Sequence, residues 1–269
     1  MRGNTHVRFG GRAGETERPK GRHRASVRPY YVKVRDAGRV VSMACLVAIG
    51  VAASGERRVL GLELAAGNDE GNAWAGFVRS LLERGLTGVR LVTSDAHRGI
   101  VDAVHAQLLG AAWQRCRVHA TRNALDLVPR GSQDMVAAAV RSIFEQPDEP
   151  SASAQLRRVA DGLAPRFPAV ADLLLEAEPD LLVHLTFPEA HRRQIRSTNP
   201  LERLNKEIKR RTAVVGIFPT RAAVLRLVGM VLAEQDDEWQ DGRRYFSPES
   251  MALIDAIPKE EVPALLMAS

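Results

Sequence analysis

A chain of 269 residues, 45% hydrophobic and 26% charged, has a globular composition and the length for one large domain or two small ones. No apolar run reaches the ~18–20 residues that span a bilayer, the basic N-terminus lacks the apolar stretch of a secretory signal, and two cysteines, Cys45 and Cys116, make no disulfide framework. The net charge of +6 is carried by residues 1–28, with eight basic and two acidic side chains, so the remainder is neutral and only local clustering of Lys and Arg can point to nucleic acid.

In chain order, residues 1–28 are rich in Gly and Arg and are expected to form a disordered basic tail. "YYVKVR" alternates as a strand, "RDAGR" reads as a hairpin turn, and "VVSMACLVAIGV" is a long buried strand. "ASGERR" then turns into "VLGLELA", which completes an antiparallel meander of three strands. "NDEGNAWAGFVRSLLERGL" has its apolar residues at helical spacing. A fourth strand, Val89–Thr93, a helix over Ile100–Leu109, and a short strand in "AAWQRCRVH" follow. From Ala120 to Arg196 the pattern is wholly helical, broken by Pro and Gly. A basic helix and an amphipathic one come next, and residues 246–269, with three prolines, read as a loosely held tail. The order predicts an α/β fold with a mixed sheet. Its boundaries are a first core segment over 29–119, a helical insertion over 120–196 and C-terminal helices over 197–245.

Two carboxylates stand out. Asp95, in "LVTSDAHRGI", ends a strand, where it can cap the next helix or face a site at the carboxyl edge of the sheet. Glu202 falls three residues after Asn199, the spacing of a capping box with Pro200 at the first helical position. Around it, His191–Arg211 holds eight Lys or Arg against two Glu. Arg196, Arg203, Lys206, Lys209, Arg210 and Arg211 in that run are candidates for phosphate contact. Cys116 and His119 have C-x-x-H spacing, half of a four-ligand zinc set. No phosphate-binding glycine loop, dinucleotide fingerprint or serine-hydrolase elbow is present.

Four segments in order, "YYVKVRDAGRVVSMACLVAIGV", "LVTSDAHRGI", "WQRCRVHATRN" and the stretch from "STNPLERLNKEIKRRT" to "GIFP", resemble the Mutator-type transposases of bacterial insertion sequences. The resemblance covers about Tyr30 to Met251. It implies a ribonuclease-H-like catalytic core with a helical insertion before the last catalytic helix, and an Asp-Asp-Glu triad holding two Mg²⁺ or Mn²⁺ ions. Asp95 matches the second aspartate, Glu202, 107 residues later, matches the glutamate, and Cys116 and His119 match a pair beside the active site. Hard divalent cations take carboxylate oxygens. Two of them roughly 4 Å apart clamp the attacking and leaving oxygens of a phosphodiester. The implied partners are element ends (terminal inverted repeats), target DNA and further copies of the chain, in the cytoplasm at the nucleoid.

The resemblance breaks at the first aspartate, whose position three residues before Tyr31 is Arg28. The family's DNA-end-binding region is also missing ahead of it, as in an N-terminally truncated copy. The sequence therefore supports two functions: a transposase cutting and joining DNA, impaired here, or a non-catalytic DNA-binding or self-associating remnant. A zinc-stabilised DNA-binding module would rest on Cys116 and His119 alone, and no stoichiometric zinc is expected.

Overall fold

The computed structural model describes residues 5–10, 30–66 and 70–255. The strands are β1 (Thr5–Gly10), β2 (Tyr30–Asp36), β3 (Arg39–Val51), β4 (Arg57–Ala66), β5 (Val89–Ser94), β6 (Ala112–Arg115) and β7 (Ile217–Phe218). The helices are α1 (Glu70–Glu83), α2 (Arg98–Gln107), α3 (Arg117–Asp126), α4 (Arg130–Ile143) and α5 (Glu149–Leu163), then α6 (Pro168–Leu181), α7 (Glu189–Ile195), α8 (Asn199–Ala213), α9 (Arg221–Asp241) and α10 (Pro248–Asp255). The chain forms two compact units: one runs to Ala112 and resumes at Thr198, the other is Trp113–Ser197.

The first unit is a mixed sheet with helices packed on it. In β2, Val32 and Val34 are buried while Lys33 and Arg35 are exposed, the alternation of a strand with one covered face. Ala37 (φ 45°) and Gly38 (φ 79°) form the two-residue turn to β3. Positive φ at both central positions matches the twist of the flanking strands. β3 is continuously buried from Met43 to Val51, as a strand flanked on both sides must be. It pairs antiparallel with β4 along Met43–Val51 and with β2 along Arg39–Cys45, so the expected meander is present.

The sheet does not stop at those strands. β1 pairs antiparallel with β3, from His6 opposite Val51 to Gly10 opposite Val47, and parallel with β5. A strand has only two hydrogen-bonding edges, and β4 takes one edge of β3 from Met43 to Val51. β1 and β2 therefore lie end to end along the other edge, with Gly10 opposite Val47 and Tyr30 opposite Cys45. Within residues 1–28, expected to form a disordered tail, Thr5–Gly10 is a strand of the sheet, and the rest of that segment lies outside the described residues. β7 adds parallel to β2.

One face of this sheet packs on α8 and α9. Val32, Val34, Met43, Cys45, Val47 and Ile49 share a core with Leu201, Leu204, Ile208, Val224 and Val228. Burial there pushes the Cys45 thiol up to about 12, so it stays protonated and unreactive. α1 buries Trp74, Phe77, Val78 and Leu81 and packs with α2. The C-terminal segment departs from the loose tail expected from residue 246. Phe246, Met251 and Ile254 are buried, and the amides of Tyr245 and Phe246 both donate to Gly55 O, at 3.1 and 3.0 Å. Gly55 has φ 81°, and a β-carbon there would collide with the Phe246 carbonyl.

The second unit is built from α3 to α7. Its core is formed by Val136, Val140, Ile143, Leu156, Leu174 and Leu181 with their neighbours. Asp148 caps α5 by accepting from Ser151 N at 2.8 Å, with proline in the first turn. Gln114 ties the unit together. Its amide donates to Leu181 O at 2.9 Å and its oxygen accepts from His184 N at 2.6 Å. None of the described helices in either unit is long and apolar enough to cross a membrane.

Candidate functional site

Asp95 directly follows β5, half-buried, and its carbonyl accepts from the Ser94 hydroxyl at 2.7 Å. The buried run before it (Leu91, Val92, Thr93, Ser94) fixes where the strand ends. α2 starts only at Arg98, and its N-cap is His97, with extended dihedrals. Asp95 stands two residues ahead of that cap, at the carboxyl end of a strand that runs parallel to its neighbour β1. That is where open α/β sheets place functional side chains.

Glu202 is in the first turn of α8, also half-buried. The capping box read from the sequence does not form, because the helix begins one residue earlier, no side chain caps it and Glu202 falls at its fourth position. The N-cap is Thr198, Asn199 and Pro200 open the helix, and Glu202 N donates to Thr198 O at 3.0 Å as an ordinary helical bond. The Thr198 hydroxyl lies 3.4 Å from Glu202 Oε1. A carboxylate in this turn also meets the positive end of the helix dipole. Leu201 and Leu204 on either side of it are buried in the core that contains Val47.

The basic run is sorted by the helix. Leu201, Leu204, Ile208 and Thr212 point into the core, which leaves Arg203, Lys206, Lys209, Arg210 and Arg211 exposed. Arg210 and Arg211 are both held by Glu207, at 2.6 and 2.8 Å, and Arg211 also reaches Glu234 at 3.5 Å. Those two guanidinium groups hold the Glu207 carboxyl down at about 2. Among the described residues, Arg203, Lys206 and Lys209 have no ion pair within 4 Å. The side chains most available to an outside anion are therefore these three. Just beyond, Val214, Val215 and Ile217 are exposed around Gly216 (φ 70°). Sequence reasoning gave this apolar loop no role; its signal was three branched residues with no polar partner position beside a basic helix.

The remaining candidates belong to the second unit. Cys116 is the N-cap of α3 and fully buried, and His119 is in the first turn, almost fully buried. Arg196 is half-buried at the end of α7, and its carbonyl accepts from Arg117 N at 3.1 Å. Burial first, and then Arg193, lower the Arg196 pKa. Burial and Arg196 likewise lower that of Arg117, to about 10. Arg196 is thus a structural element of its own unit rather than a member of the exposed α8 set.

Arg28 lies outside the described residues. In the first unit the carboxylates singled out are two, Asp95 and Glu202. A site for two divalent ions relies on carboxylates from neighbouring strands to bridge them. β1, the described strand parallel to β5, carries no carboxylate, so among the described residues the pair does not fit that arrangement.

The model of the family described as "Transposase, Mutator family" matches residues 27–242. The chain is 50% identical over 234 residues to the transposase for insertion sequence element IS1081 of Mycobacterium tuberculosis, which covers 87% of this chain and 56% of that protein. It is 44% identical to the transposase for IS406 of Burkholderia multivorans, over 81% of this chain and 56% of that one. Against the transposase for IS256 in transposon Tn4001 of Staphylococcus aureus it is 36% identical, again over 81% and 56%. The chain spans about half the length of the curated relatives it matches. The family model spans both the strand that Asp95 follows and the helix whose first turn holds Glu202, and with relatives at this identity over most of the chain it leaves one assignment: this chain belongs to the Mutator family of transposases.

Proposed function

We propose that this chain is a DNA-binding insertion-sequence transposase polypeptide with a ribonuclease-H-like sheet whose strand-cleavage centre is incomplete. The observation that carries the reading is the pairing of roles on one unit. Asp95 directly follows β5, Glu202 lies in the first turn of α8, and the exposed face of that same helix presents Arg203, Lys206 and Lys209. Phosphodiester cleavage needs negative side chains to hold cations and positive ones to hold the backbone, and α8 supplies one of each kind in successive turns.

In this reading the exposed cations of α8 bind DNA phosphates and orient the backbone. Asp95 and Glu202 are the carboxylates retained from a divalent-metal centre. The α8 dipole and the turn at Thr198 hold Glu202 in place. Bound Mg²⁺ or Mn²⁺ would supply Lewis-acid activation of a phosphodiester, and two carboxylates are too few to hold the pair of ions. The partners are element-end and target DNA and a second copy of the chain. Cys116 and His119 contribute packing and a helix start.

The test uses the full chain with supercoiled DNA carrying a pair of cognate ends, with Mg²⁺ or Mn²⁺. Salt-dependent DNA binding without specific strand cleavage is the expected result. Cleavage at the ends, abolished by Asp95→Ala, would show that the centre is complete and would overturn the proposal.

A further inference from the structure

The missing carboxylate has a definite place in the sheet, and a different part of the chain occupies it. In the β2–β3 ladder each step back along β2 is a step forward along β3: Asp36 faces Arg39 and Tyr30 faces Cys45. Continued two residues further, that register sets position 28 opposite Val47. The residue the structure places opposite Val47 is Gly10. On its other edge β1 runs parallel to β5 with Arg8 level with Thr93, and two further steps bring Gly10 level with Asp95. Position 10 thus lies in line with Val47 on one side and Asp95 on the other.

The face is fixed as well. Residues directly opposite in a ladder share a face. Val47 is buried in the core that holds Leu201 and Leu204, which flank Glu202, and α8 packs against β1. A side chain at position 10 would therefore stand on the sheet face that α8 covers. Glycine offers none.

We propose that Thr5–Gly10 is a surrogate for the first half of the family's opening strand, and that Gly10, rather than Arg28, now holds the place of the first metal carboxylate. The proposal rests on the reading of Asp95 and Glu202 as metal carboxylates. Filling the sheet position explains how β3 and β5 remain in one sheet although the residues ahead of Tyr30 no longer read as a strand: β1 joins them, with five of its residues in register along the open edge of β3. The surrogate restores the hydrogen bonds and omits the ligand. It follows that the defect is local, and one substitution should supply the absent oxygen donor.

Two measurements on the full chain separate the parts of the idea. Hydrogen exchange on the unaltered protein reads the strand. Amides from Val7 to Gly10 protected as well as those of β3 support it, and free exchange over Thr5–Gly10 overturns it whatever the metal does. Mn²⁺ titration, followed by the loss of the free-ion paramagnetic resonance signal, reads the ligand. Gly10→Asp should tighten binding at least tenfold, Gly10→Asn should leave it within twofold, and the gain should vanish in an Asp95→Asn background. Arg28→Asp should also stay within twofold. A gain from Arg28→Asp and none from Gly10→Asp would return the site to position 28 and overturn the inference. If β1 is protected and no variant at either position changes Mn²⁺ binding, the failure lies with the assignment of Asp95 and Glu202, not with the strand.

Discussion

Tyr30 of β2 and Thr212 of α8 are joined hydroxyl to hydroxyl, and the same Thr212 oxygen bonds Ile208 O at 2.7 Å within the helix. The contact spans 182 positions of sequence. It fastens the end of the basic helix to the strand at which the family resemblance begins, and so helps set where the first turn of α8, with Glu202, stands over the sheet. Removing the phenol oxygen leaves Thr212 its bond to Ile208. Tyr30→Phe should therefore cost only about 1 kcal/mol, the net worth of one hydrogen bond. In urea denaturation, Tyr30→Phe and Thr212→Val together should cost less than the sum of the two alone. Additive losses would show that the hydroxyl pair contributes no coupling.

A second fastening holds α9. Asp236 accepts from Arg58 Nε at 3.0 Å and from Val59 N at 2.6 Å, both on β4, and its side chain is only 15% exposed. A carboxylate that accepts a backbone amide and a guanidinium is stabilising because removal strands both donors. Asp236→Ala should lower stability by about 2 kcal/mol, within the range for hydrogen bonds to charged groups. Asp236→Asn, which keeps one acceptor, should lose less. Equal losses in urea titrations of the two variants would assign the effect to packing.

Acid should act through the second unit. His184 is 2% exposed, with its backbone amide on the buried Gln114 oxygen and Nδ1 3.2 Å from the same atom. Burial first, and then the charges of Arg196, Arg117 and Arg192, lower its pKa from 6.5 to about 4. The folded state thus resists protonation that the unfolded chain accepts. Stability from this group is fully present above about pH 6.5 and is lost as pH falls toward about 4. Below that both states carry the proton and the loss stops. The full span is worth about 3 kcal/mol. His184→Gln should flatten the pH dependence of the urea midpoint between pH 6.5 and 4. A variant with an unchanged slope would place the acid sensitivity elsewhere.

The long, locally patterned elements were legible in the sequence. β3 announces itself by an unbroken run of Val, Ala, Ile and Leu, and α1 by Trp74, Phe77 and Leu81 at helical spacing. What escaped depended on distant partners. Thr5–Gly10 alternates Val7 and Phe9 with His6 and Arg8 in sequence, but it sits among glycines and arginines, and only the edges of β3 and β5 make it a strand. β7 is two residues long and exists because β2 has a free edge beside it. The segment from Phe246 reads as a tail by its prolines, yet Gly55 O receives its first amide together with that of Tyr245 just before it. Asp95 and Glu202 were singled out through resemblance, and the strand end and helix turn that carry them were legible from the local pattern. The N-cap of α8 at Thr198 rather than Asn199 was not, since both residue types cap well and only the backbone decides between them.

The last prediction concerns DNA and divides the basic helix into two sets. Arg203, Lys206 and Lys209 project from α8 into solvent, whereas Arg210 and Arg211 share the Glu207 carboxylate. Each phosphate neutralised releases counterions and adds about 0.9 to the slope of log affinity against log salt. Lys206→Ala and Lys209→Ala should each weaken binding by a similar factor for every DNA sequence tested and flatten the salt slope by about one. Arg210→Ala should do less, because that guanidinium is already engaged. Glu207→Gln should strengthen binding, since it frees two guanidinium groups and removes a negative charge from the DNA-facing helix. Fluorescence anisotropy with one cognate and one scrambled duplex across a salt series reads all four variants. If Lys206→Ala and Lys209→Ala weaken binding to the cognate duplex alone, these lysines read bases. If Glu207→Gln weakens binding instead, the carboxylate positions its arginines for phosphate rather than holding them back.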